Sequence, residues 1–189
     1  MPTESLLLGP PMGQYVRFLL FGLLLGLFTE AELKLVAGIK PQAFWIALAA
    51  YPVIVSLAYG LSRLLDRLIA ARWRADLVHY ALVGIGGLSV EWFLLGNGPG
   101  SNAFQPGMFA MWTTFCFGPR VLARPAPGIA RAKRAFWVAF SVVAVLLTAA
   151  VLLTPDPNAR VVVVVLGLSA SYIVWSLWLL VMAWRSREA

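Results

Sequence analysis

The chain is organised by long apolar runs separated by short polar connections, and each run approaches the roughly 20 residues that an α-helix needs to cross a hydrocarbon core. Six such runs are legible, at 15–30, 43–62, 77–95, 103–118, 135–153 and 161–184. Inside a bilayer each backbone N–H and C=O must be satisfied without water, which favours a helix over an open strand. The expected fold is therefore an all-α integral membrane protein, one transmembrane domain over residues 1–189 built as a bundle of about six helices. Composition agrees, because 61% of residues are apolar and only 12% charged, where soluble domains have about 45–50% and about 25%. No separate soluble domain is expected between the runs.

Three runs carry complications. In the first, Arg17 precedes the apolar stretch 18–28, and Glu30 and Glu32 arrive in its last turn. A cleaved leader is the rival reading of that stretch, disfavoured by the long segment before Arg17. The second run contains Pro52, which removes a backbone donor and is expected to kink it. The fourth follows the glycine-rich segment GNGPGSN and Gln105-Pro106-Gly107, and Gly118-Pro119-Arg120 is expected to stop it. It is expected to be short, broken or re-entrant.

The formal net charge is +7, yet the bases are not spread as a nucleic-acid footprint would be. Arg63, Arg67, Arg72 and Arg74 flank one connection, Arg120, Arg124, Arg131, Lys133 and Arg134 another, and Arg185 and Arg187 close the chain. Juxtamembrane excess of this kind holds a loop on the cytoplasmic side. With Arg17, twelve bases fall on one side and three, Lys34, Lys40 and Arg160, on the other. A multi-pass protein with both termini cytoplasmic and 96–102 outside is expected, with the lipid bilayer as its partner and no nucleic acid. Arg120 and Arg124 are candidates for contact with lipid headgroup phosphates.

The outer end of the third run holds the candidate binding residues. Glu91 stands in an otherwise apolar stretch, where a carboxylate must face protein interior, water or headgroups. Asn97, Asn102 and Gln105 follow among Gly96, Gly98 and Gly100, and together they are expected to line a polar pocket. Glu30 joins them through a faint repeat: GLFTEAEL at 26–33 and GLSVEWFL at 87–94 share Gly-Leu-x-x-Glu-x-x-Leu at an offset of 61. If real, the first two helices and the next two are parallel repeats, and Glu30 and Glu91 could bind a cation or share a proton where the first and third spans touch. Gly84, Gly86 and Gly87 are expected to admit a close helix neighbour.

Catalytic and metal chemistry find no constellation. Cys116 and His79 are each alone, excluding an internal disulfide and a Cys/His zinc site, and no Gly-x-Ser-x-Gly is present. No cofactor is indicated. The leading expectation is a small transporter, or the membrane component of a transport system, with an extracytoplasmic polar pocket. The alternatives are a structural or assembly subunit, with partner subunits or as a homo-oligomer, and a membrane enzyme acting on a lipid through Glu30 or Glu91.

Overall fold

The computed structural model describes residues 10–101 and 104–186, and their regular structure is entirely helical. The six α-helices are α1 (Pro10–Glu30), α2 (Ala43–Leu68), α3 (Arg72–Phe93), α4 (Gln105–Leu122), α5 (Ala130–Leu153) and α6 (Pro157–Arg185). A π-helical turn, Ala31–Val36, extends α1 and carries Glu32, so the early acids do not end the helical rod. Three segments are long and apolar enough to cross a membrane: Ala43–Leu68, Pro127–Leu153, which contains α5, and Pro157–Arg185.

The bundle is arranged around α4. It packs against α1, α2, α3 and α6, while α5 lies outside against α6 and the π turn. Every residue from Trp112 to Leu122 is buried. The fourth run, expected to be short or broken, is thus an unbroken helix of 18 residues at the centre of the molecule. It is the shortest of the six α-helices, and its burial comes from the helices packed around it.

Pro119 lies inside α4 and does not stop it. A proline removes the donor that would meet the carbonyl four residues earlier, here Phe115. Gly22 of α1 lies against that carbonyl: a Cβ on Gly22 would come 3.1 Å from Phe115 O and 2.6 Å from Val55 Cγ1. Helical pairing resumes at once, with Ala123 N–H donating to Pro119 O at 2.9 Å.

Glycines set the α3–α4 contact as well. The ring of Phe109 sits on Gly84 and that of Trp112 on Gly87, whereas Gly86 has nothing within 4 Å. Two of the three expected packing glycines therefore serve the interface, because Gly86 points away from it.

Helix α6 starts at Pro157 behind Asp156, whose carboxylate accepts from Asn158 N at 3.2 Å and Ala159 N at 3.1 Å. Those are orphan donors of a helix's first turn. Asp156→Ala is expected to cost about 1 kcal/mol, read as a lowered unfolding midpoint in detergent.

Candidate functional site

Polar groups in this apolar bundle collect at the two ends of α4. At its first end, Gly96 adopts φ +74, a left-handed conformation open to glycine, and turns the chain back after α3. Asn97 is thereby returned to Glu91, donating its N–H to the Glu91 backbone O at 2.8 Å and its side-chain Nδ2 to Glu91 Oε2 at 2.8 Å. Trp112 Nε1 of α4 donates to Glu91 Oε1 at 3.2 Å. Gln105 Oε1 accepts from Trp92 Nε1 at 2.6 Å, and its Nε2 donates to the carbonyls of Asn97 and Gly98 at 3.1 and 3.3 Å. Glu91, Asn97 and Gln105 are thus brought into one hydrogen-bonded cluster, while Asn102 lies outside the described residues.

Glu30 is placed differently. It accepts from Tyr51 Oη at 2.8 Å, and α4 stands between α1 and α3, packing on both. Tyr51 stacks on Phe115 with centroids 5.1 Å apart, and Phe115 meets Trp112 at 4.9 Å. Glu30 and Glu91 therefore occupy the two ends of a row of three rings, Tyr51, Phe115 and Trp112, and do not share one pocket.

The row gives the internal repeat a third member. Tyr51 and Trp112 are separated by 61 residues, the offset that relates Gly26 to Gly87 and Glu30 to Glu91. Each ring sits on its glycine: a Cβ would come 2.9 Å from Tyr51 Cδ2 at Gly26 and 2.0 Å from Trp112 Cγ at Gly87. Each also donates its polar hydrogen to the glutamate four residues further on. The same latch is built twice, from α1 with α2 and from α3 with α4.

A third carboxylate, Glu32, is buried beside the Glu30 latch. Its Oε1 accepts from Thr148 Oγ1, and its Oε2 has no partner among the described residues. Nearby, Thr29 Oγ1 donates to Tyr172 Oη at 2.5 Å, and Tyr172 donates to Leu25 O at 2.7 Å. None of the three glutamates lies in an ion pair among the described residues; the pairs found there all belong to the other end of α4.

At that other end Asp76 of α3 bridges two arginines. Arg120 Nε donates to Asp76 Oδ1 at 2.6 Å, and Arg124 donates to Oδ1 from Nη2 at 2.7 Å and to Oδ2 from Nη1 at 3.0 Å. Arg120 also donates to Asp66 Oδ1 at 2.6 Å, to Ser62 O at 2.9 Å and to Ser62 Oγ, and Arg124 to Ser186 Oγ at 2.9 Å. Asp76, Arg120 and Arg124 are 2%, 5% and 5% exposed, so this network is interior. The candidate headgroup arginines, Arg120 and Arg124, direct their guanidinium groups into the protein.

Two hollows lie near this network, the first with Asp76 in its wall. One, of about 110 Å³, is walled mainly by Trp73, Leu77, Leu180 and Trp184. The other is a shallow cleft of about 20 Å³ that opens outward, lined by Arg63, Asp66, Arg72, Arg120 and Arg124 among others. Between the two ends of α4, Thr113 Oγ1 and Tyr80 Oη both meet Ser176 Oγ, at 2.6 and 2.7 Å. His79 is fully buried, its Nε2 at 3.0 Å from Ala58 O. No group of three His, Cys, Asp or Glu able to hold a metal forms among the described residues.

Sequence reasoning passed over Asp76, Asp66, Tyr51 and Trp112. Counting arginines for orientation gives no weight to acids, although Asp76, one turn after Arg72, was the signal available. Compared with protein families, curated proteins and solved structures, the chain matches none of them.

Proposed function

We propose that this chain is a six-span membrane protein with both termini cytoplasmic that acts as a small transporter, or the membrane component of a transport system, with Glu30 and Glu91 binding a proton or a cationic solute. The observation carrying this reading is the duplicated carboxylate latch around Phe115. Transporters built from repeats bind substrate and coupling ions where the repeats meet. Glu91 is buried and Glu30 half-buried, and neither meets a basic side chain among the described residues, so each latch offers a carboxylate whose charge no protein cation offsets. Asn97 and Gln105 close the cluster over Glu91, as one side must be closed in alternating access.

A second reading, an assembly subunit, draws support from the same closure. The polar groups at the Glu91 end satisfy one another, and neither hollow described above reaches them. Proteoliposomes holding the purified chain and a pH-sensitive dye separate the two. Under the transport reading they dissipate an imposed pH gradient faster than empty liposomes, and the Glu30→Gln/Glu91→Gln variant falls back to the empty-liposome rate. Equal rates for wild type and empty liposomes, with a stoichiometric protein partner retained in mild detergent, would move the assignment to the subunit.

A further inference from the structure

At the arginine end of α4, we infer that the cleft lined by Arg63, Arg72, Arg120 and Arg124 is a binding site for a phosphoryl group, carried by an anionic lipid or by free phosphate. Four guanidinium groups line this cleft, and among the described residues the only carboxylates in the network are Asp66 and Asp76. Among the described residues the charges of Arg63 and Arg72, at the mouth of the cleft, are left without a carboxylate. An anion of charge near −2 would neutralise them.

The cleft is built in two tiers. Its floor is rigid: Arg120 and Arg124 are held by Asp76, Ser62 and Ser186 and cannot swing away. Arg124 spends Nη1 and Nη2 on Asp76 and Ser186, and its Nε–H has no acceptor among the described residues. The upper tier is formed by Arg63 and Arg72, which line the cleft but are exposed. These two are free to close on a ligand.

A helix terminus adds to the field. Arg72 opens α3, whose first turn has no acidic residue and whose N-cap, Ala71, makes no side-chain cap bond. Such a terminus presents free N–H groups and the positive end of the helix dipole, which favour an anion beside it. Guanidinium groups suit phosphoryl oxygens in particular, because their paired N–H groups match two oxygens at once. This site lies at the opposite end of α4 from the carboxylate latches and stands independently of the transport reading.

The test uses the full chain in a neutral detergent, with thermal unfolding and tryptophan fluorescence as readouts, since Trp73 adjoins Arg72 in the chain. Short-chain phosphatidic acid is expected to raise the unfolding midpoint saturably, and phosphatidylcholine of the same chain length to leave it unchanged. Arg63→Gln/Arg72→Gln spares the buried floor, so its unliganded midpoint should match wild type while its affinity falls about tenfold or more. Arg131→Gln/Arg134→Gln, altering bases outside the cleft, is the control and should bind normally. Displacement of the lipid by millimolar inorganic phosphate identifies a free-anion site; resistance to it identifies a headgroup site, and both uphold the phosphoryl assignment. Absence of a saturable response to either probe, or equal loss in both double variants, would overturn it.

Discussion

Asp76→Asn is expected to destabilise the bundle by about 3–5 kcal/mol, the range for breaking a buried ion pair by removing one partner. Asp76 is 2% exposed and takes three hydrogen bonds from two guanidinium groups that are themselves buried. Asparagine keeps one acceptor oxygen and loses both the charge and the second acceptor, leaving two interior cations facing only Asp66. Asp66 cannot replace it, because its side chain is 43% exposed and its attraction is screened. Asp66→Asn is accordingly expected to cost no more than about 1 kcal/mol. Adding Arg124→Leu to the Asp76→Asn chain should recover part of the loss by removing an orphaned charge. Unfolding midpoints in detergent check the series. Equal, small effects from Asp76→Asn and Asp66→Asn would mean that water reaches the network.

Gly87→Ala is expected to cost about 1–3 kcal/mol or more, as overpacking of a closed interface does. Its new methyl would stand 2.0 Å from Trp112 Cγ and 2.5 Å from Trp112 Cβ. Because the root of the side chain is struck, ring rotation gives no relief, and α3 must move off α4. The displacement would also draw Trp112 Nε1 from Glu91 Oε1, loosening the latch. Gly86→Ala, one residue earlier, meets nothing within 4 Å. Alanine favours a helix over glycine by about 1 kcal/mol, so this neighbour should be neutral or slightly more stable. Opposite signs at adjacent glycines are the discriminating result, readable from thermal unfolding of the two variants; matching effects would refute the α3–α4 register.

The helical class was legible because its cause is local. An apolar run long enough to span hydrocarbon must satisfy its own backbone, whatever it packs against. The same locality made Glu91, Asn97 and Gln105 recognisable as a group, since a glycine turn returns the chain within a few residues. The repeat was half visible: Gly26, Glu30, Gly87 and Glu91 stand in matching words, but Tyr51 and Trp112 do not match as letters. They match as chemistry, a ring with one polar hydrogen, and only the contacts disclose it.

The sequence by itself determined that this chain is helical, that several of its helices suit a bilayer, and that its bases crowd a few connections. Tertiary structure alone decided that the shortest helix is central, that Pro119 is accommodated within it, and that Arg120 and Arg124 turn inward to Asp76, 44 and 48 residues away. The reason is geometric. Helix formation depends on neighbours along the chain, whereas each further residue turns the side chain by about 100° around the axis, so its partner depends on how distant helices are rotated and packed.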